Sequence, residues 1–151
     1  MLTLPKKFFF ALEAVLYIAV HGGARPVSSK EICEKHGLTS RYLESIMQHL
    51  VHAKILRGVR GPKGGYFLAR EKRKLMAGEI FTLVKALEKD GDKSKEFFDV
   101  LVDSSAIKPL WESVEKDIEE KLGQLTIEDL CKQTDDRTKM GGIKKTSDFV
   151  I

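Results

Sequence analysis

Arg41, Glu44, Ser45 and Gln48 recur at steps of three and four residues, the spacing that gathers side chains on one face of a helix. Their types fit one chemistry. Arginine pairs with guanine, glutamine with adenine, glutamate accepts from cytosine, and serine serves either base. A second group, Arg60 and Lys63, sits in the Gly- and Pro-containing turn of the stretch 57–70. A slim cationic tip of that kind can enter a minor groove and sense its width. The plain alternative for the first group is a solvated helix face, and for the second a nucleotide-binding glycine loop. The glycine run departs from both phosphate-binding spacings, G-x-x-x-x-G-K-[ST] and G-x-G-x-x-G. Cys33 with His36, and His49 with His52, stand at helical spacing. A structural metal needs four converging ligands, so these pairs read as core or surface residues and no metal site is expected. With no nucleophile–base pairing either, an enzyme is not expected.

The elements that would carry these groups are legible in local chemistry. In Val27-Ser28-Ser29-Lys30-Glu31-Ile32, Ser28 can cap a helix, Glu31 can return the bond, and Val27 and Ile32 can staple it. Gly37 suits the left-handed end of that short helix. Thr39 then caps a second helix, about 39–52, with Leu43, Ile46, Met47 and Leu50 on its apolar stripe. Two helices across a tight turn form a helix-turn-helix, whose second helix enters a major groove by its N-terminal end. The following run, about 56–70, has two β-prone stretches around the turn and predicts a hairpin, the wing of such a unit. The expected nucleic-acid contacts are therefore Ser28, Thr39, Ser40, Arg41 and Tyr42, then Glu44, Ser45 and Gln48, with Arg60 and Lys63 from the wing.

Charge is segregated along the 151 residues. Residues 1–75 hold 14 Lys and Arg against 5 Asp and Glu, net +9, while residues 76–151 hold 12 against 17, net −5. A basic half suggests a polyanionic partner, because cations that neutralise phosphates release condensed counterions. Hydrophobic residues at 42% and charged residues at 32% exclude a wholly disordered or multi-span membrane chain. The apolar stretch from Phe8 to Val20 contains Glu13 and falls short of the ~20 residues a membrane span needs. It predicts a core helix, with Pro5 in its first turn and Gly22-Gly23 at its end. Two cysteines, Cys33 and Cys131, are too few for a disulfide framework and suggest a cytoplasmic address.

Ile80, Phe81, Val84 and Leu87 mark an amphipathic helix, followed by a loop over 89–95 and an apolar group at Phe97, Phe98, Leu101 and Val102. Pro109 begins a long helix in which Trp111, Val114, Ile118, Leu122 and Leu125 form one stripe. Such a stripe packs on its own domain or on a second copy, and dimerisation is the expected use. Thr126 to Leu130 caps and begins one more short helix. The organisation expected is a DNA-binding domain over 1–75, a helical dimerisation region over 76–133, and a disordered tail over 134–151. The fold class is mainly α.

Several of these residues together resemble the Rrf-two family of bacterial winged helix-turn-helix regulators. They are Tyr42-Leu43-Glu44, Arg60-Gly61-Pro62 with Gly64-Gly65-Tyr66, Gly78-Glu79-Ile80, Leu110-Trp111 and Leu125-Thr126-Ile127. The resemblance covers about residues 1–133. It implies a homodimer whose long helix crosses to its partner and whose two wings and two recognition helices engage a pseudo-palindromic operator in double-stranded DNA. With the charge split, the helix pair and the wing, the expected function is a transcriptional regulator, a repressor. In the family's cluster-binding member, base reading falls to the residue matching Glu44 and minor-groove contact to the one matching Arg60. Ser40 and Arg41 differ from that member, so its operator sequence is not carried over. The family's redox members hold an iron–sulfur cluster on three cysteines between the helix after the wing and the dimerisation helix. The matching region here, 89–110, has no cysteine, and Lys108 stands at the place of the cluster histidine. No cluster is expected. The expected switch is a small-molecule effector, a regulatory partner protein or a thiol event at Cys131. The alternative function is a protein-docking winged-helix module, distinguished by weak salt dependence.

Overall fold

The computed structural model of the chain describes residues 6–88 and 106–140, with side chains to residue 135. The expected loop at 89–95, the apolar group at 97–102 and the tail residues 141–151 lie outside the described residues.

Helix α1 (Lys6–His21) lies at the centre of the fold, and its apolar face, Phe8, Ala11, Ala14, Val15 and Ile18, is buried. It ends where Gly22 donates to the Ile18 carbonyl at 2.8 Å. Helices α2 (Ser29–His36) and α3 (Ser40–His52) follow, joined through Gly37 at φ 64°. A left-handed φ there costs glycine nothing, which lets the chain reverse in so few residues. The expected staple residues Val27 and Ile32 are both fully buried. Leu43, Ile46, Met47 and Leu50 point α3 into the same core, each such burial contributing roughly 1.5–3 kcal/mol.

Strands β1 (Leu56–Val59) and β2 (Gly65–Leu68) form an antiparallel hairpin in which Leu56 faces Leu68 and Val59 faces Gly65. The hairpin is pinned to the body by Val27, which exchanges backbone bonds with Tyr66 at 3.0 and 2.8 Å. Glycine is required at 65 because a Cβ there would lie 2.4 Å from the Val27 carbonyl oxygen.

Helix α4 (Ala77–Glu88) buries Ile80, Phe81 and Val84, and the Phe81 ring meets Phe8 edge-on at 5.3 Å. Helix α5 (Ile107–Gly123) is the long one, and helix α6 (Ile127–Met140) closes the described chain. The start of α4 and the end of α5 are pinned together: Ala77 donates to the Leu125 carbonyl and Ile127 to the Leu75 carbonyl, each at 2.8 Å. At that crossing a Cβ on Gly78 would fall 2.9 Å from the Gly123 nitrogen. Farther along, Lys85 of α4 bridges Glu115 and Glu119 of α5 at 3.4 and 2.8 Å.

Two expectations for the second half need correction. Leu125 is not part of the long helix, which ends at Gly123; the chain turns there into the Met76–Thr126 bridge. The tail does not begin at 134. Helix α6 runs to Met140, started by a reciprocal cap in which Asp129 and Thr126 exchange bonds at 3.0 and 3.1 Å and continued where the Thr134 hydroxyl donates to the Leu130 carbonyl at 3.0 Å. No described helix is long and apolar enough to cross a membrane.

Candidate nucleic-acid interface

The apolar stripe of α3 leaves its opposite face outward, and Ser40, Arg41, Glu44, Ser45 and Gln48 are all exposed on it. Among the described residues none of these side chains makes a hydrogen bond or ion pair, so their donors and acceptors face outward toward an incoming partner. Thr39 occupies the cap position of α3 in extended backbone conformation, but its hydroxyl does not make the expected capping bond. It too is exposed.

Ser28 does cap α2, its Oγ accepting from the Glu31 amide at 3.2 Å. The expected return bond from Glu31 is replaced. The Glu31 carboxylate instead takes both terminal nitrogens of Arg25 at 3.0 Å and the Tyr17 hydroxyl at 3.0 Å. The Arg25 bonds hold the Glu31 carboxyl below its ordinary value. This network ties α2 to α1 through the connector, and only the contact between residues far apart in sequence could have announced it.

Tyr42 does not share the exposed face of α3. It is half-buried, and its ring meets Phe10 edge-on at 5.7 Å. Burial, and then the nearby Glu88 charge, push its hydroxyl above the usual tyrosine value. Its ring therefore helps seat α3 on α1.

The wing tip carries Arg60 and Lys63, both exposed. Gly61 at φ 117° makes the turn, and Gly64 donates to the Gly61 carbonyl at 2.9 Å. Between the wing and the body lies an open concavity of about 440 Å³, lined by Ser29, Val51, Arg60, Gly64 and Tyr66 among others. It makes the wing continuous with the first turn of α2 and the last of α3. Arg57, overlooked in the sequence, adds a further cation. It stands across from Phe67 in the hairpin, its guanidinium 5.0 Å over that ring. The signal was its cross-strand partner, which depends on a register that composition does not reveal.

The expected dimerisation stripe and thiol fall elsewhere. Trp111, Val114, Ile118 and Leu122 are half-buried, Ile118 and Leu122 packing on the core, while Ile107 and Leu110 are 57% and 64% exposed, and among the described residues α5 has none fully buried. Cys131 is 5% exposed, in the core. Burial pushes its thiol above the ordinary cysteine value despite the opposing charge of Lys72. A buried thiol kept protonated is a poor nucleophile, so the expected role as thiol sensor loses its physical basis. Cys33 is half-buried and likewise pushed up by burial.

An outward polar face on the second helix of a tightly turned pair, flanked by a cationic hairpin, defines the winged helix-turn-helix class of DNA-binding protein. A match to Rrf2, described as "Iron-dependent Transcriptional regulator", covers residues 4–133, and the chain belongs to this family. The IscR transcriptional regulator of Sodalis glossinidius is 36% identical over 83 residues, which are 55% of this chain and 50% of that relative. The chain thus spans half the length of that relative in the match. The CymR transcriptional regulator of Bacillus subtilis is 32% identical over 127 residues, 83% of this chain and 87% of that one. The solved structure of T. potens IscR superposes with a TM-score of 0.73 at 31% identity, covering 98% of this chain and 96% of the other. The protein is a DNA-binding transcriptional regulator, and its relatives are regulators rather than enzymes.

Proposed function

We propose that the chain is a homodimeric, sequence-specific repressor that binds a pseudo-palindromic operator. The carrying observation is the exposed face of α3, Arg41, Glu44, Ser45 and Gln48, unpartnered among the described residues, beside a wing tipped by Arg60 and Lys63. Glu44 and Gln48 read base edges in the major groove, Arg41 reads a base or grips the backbone, and Arg60 enters the minor groove. Ser28, Thr39, Ser40 and Lys63 serve as phosphate contacts. Ser28 keeps its hydroxyl proton for that purpose while its oxygen caps α2. A second copy is supported by α5, whose Ile118 and Leu122 pack on the chain's own core while no residue of the helix is fully buried and Ile107 and Leu110 stand exposed. Two-fold pairing of that stripe makes the operator two-fold as well.

The family's iron–sulfur cluster does not fit this chain. A cluster is held by thiolates, and the two thiols here lie on α2 and α6, both pushed toward the protonated form by burial. Regulation therefore falls to a small molecule or a partner protein that prefers one state of the dimer, and the setting is the cytoplasm.

Fluorescence anisotropy of the full chain on its own upstream DNA and on a scrambled duplex, at several salt concentrations, tests the reading. The expected result is a preference of about a thousandfold or more for the upstream duplex, with affinity falling steeply as salt rises. Equal affinity for both duplexes would contradict sequence-specific reading. Absence of binding to either would favour the protein-docking alternative.

A further inference from the structure

Helices α3 and α4 touch each other only lightly, and α4 packs chiefly on α1 and α5. Helix α1 packs on both α3 and α4, so the recognition helix and the half that carries α5 share one core with little direct contact between α3 and α4 themselves. Beside that shared core, one polar side chain ties the end of α3 to the start of α4. Arg70, just past the wing, donates from Nε to the Lys54 carbonyl at 3.3 Å and from its terminal nitrogen to Glu79 Oε1 at 2.8 Å. Lys54 is the residue at which the chain leaves α3, in left-handed conformation at φ 58°. Glu79 uses its other oxygen to accept from the Met76 amide at 3.0 Å, at the start of α4. Residues 75–78 are in turn fixed to the end of α5 by the backbone bonds of Leu75 and Ala77 and by the close approach of Gly78 to Gly123. The chain of contacts runs unbroken from the end of α3 to the end of α5.

We propose that Arg70 and Glu79 are positioning residues that hold the recognition helix at a fixed angle to α5, and so fix the half-site spacing the dimer accepts. This rests on the dimeric, two-half-site reading above. Arginine suits the task because its planar fork makes two bonds in fixed directions, which lysine cannot do at once. One added base pair displaces a half-site by about 3.4 Å along the axis and turns it by about 34°. A dimer with a stiff link rejects that change, and one with a loosened link tolerates it.

The test uses an operator recovered by in vitro selection with the parent chain, and versions with one base pair added or removed between the half-sites. Binding is measured for the parent, Arg70→Met, Arg70→Lys and Glu79→Gln. Glutamine keeps an acceptor for the Met76 amide, which guards against loss of the α4 cap, and thermal melting of each variant reports folding. The parent is expected to lose about tenfold or more in affinity on altered spacing. Arg70→Met and Glu79→Gln are expected to lose less than about threefold on the same change, with Arg70→Lys between. The salt slope stays that of the parent, because the Arg70 guanidinium is spent on protein groups. A folded Arg70→Met that discriminates spacing as the parent does would overturn the inference. So would a salt slope reduced by about one, which would make Arg70 a phosphate contact. A parent indifferent to spacing would overturn the two-half-site reading and this inference with it.

Discussion

Helix α3 buries Leu43, Ile46, Met47 and Leu50 within its own chain, whereas α5, which carries a stripe of similar period, buries none of its residues. The half around α3 is basic and the half around α5 acidic, +9 against −5. In the first half the apolar face is satisfied locally and the outward face is left polar and, among the described residues, unengaged. In the second, Lys85 rests between Glu115 and Glu119, and the apolar stripe is only partly covered, Ile118 and Leu122 packing on the core with no residue of the helix fully buried. The contrast shows what each half lacks. One has its apolar face covered and a polar face turned to solvent, and the other keeps a half-covered apolar stripe that the proposed dimer would bury.

The largest effect is expected from breaking the second half. Val114→Asp puts a charge in the stripe of α5, and truncation-scale losses at an interface centre, about 2–4 kcal/mol, would shift the dimer to monomer at micromolar concentration. Sedimentation would show it, and a dimer of unchanged stability would remove α5 from the interface. Next comes the polar face of α3. Glu44→Ala is expected to cost about 1–3 kcal/mol on the operator and to relax discrimination at one base position, with the dimer unchanged. Affinity and base preference both equal to the parent's would take Glu44 out of the reading set. A smaller change is expected at the wing: Lys63→Ala weakens binding to all sequences alike and lowers the salt slope by about one.

The smallest effect separates folding from binding. Arg25 and Tyr17 hold the Glu31 carboxyl below its ordinary value of 4.5. Glu79 is also lowered: burial pushes it up, but the Met76 amide and Arg70 together outweigh that push. Carboxyls lowered by folding add stability that is present above pH 4.5 and is lost as pH falls through their folded-state values. The melting temperature should therefore drop in the acid range below 4.5, and Glu31→Gln should flatten part of that drop. An equally steep acid limb in the variant would assign the loss to other groups.

Much of the first half was legible because its signals are local. The Ser28 cap, Gly37, the α3 stripe and the glycine turn of the wing are each decided within a few residues. The details that escaped are decided at a distance. Glu31 abandons the expected return bond because Arg25 and Tyr17 offer it stronger partners, and Tyr42 turns inward because Phe10 of α1 stands beneath it. Burial of Cys131 follows from where α6 lands, which periodicity alone did not show. The Gly78–Gly123 crossing and the Arg70 link depend on two helices meeting. The motif Gly78-Glu79-Ile80 was visible, but the reason for its glycine and its glutamate was not.

Sedimentation velocity of the full chain, free and with a duplex of its upstream DNA, tests the division of labour most directly. The account predicts a dimer in the free chain and two chains on one duplex in the complex. A single chain bound tightly and specifically to the duplex, from a monomer in free solution, would contradict it.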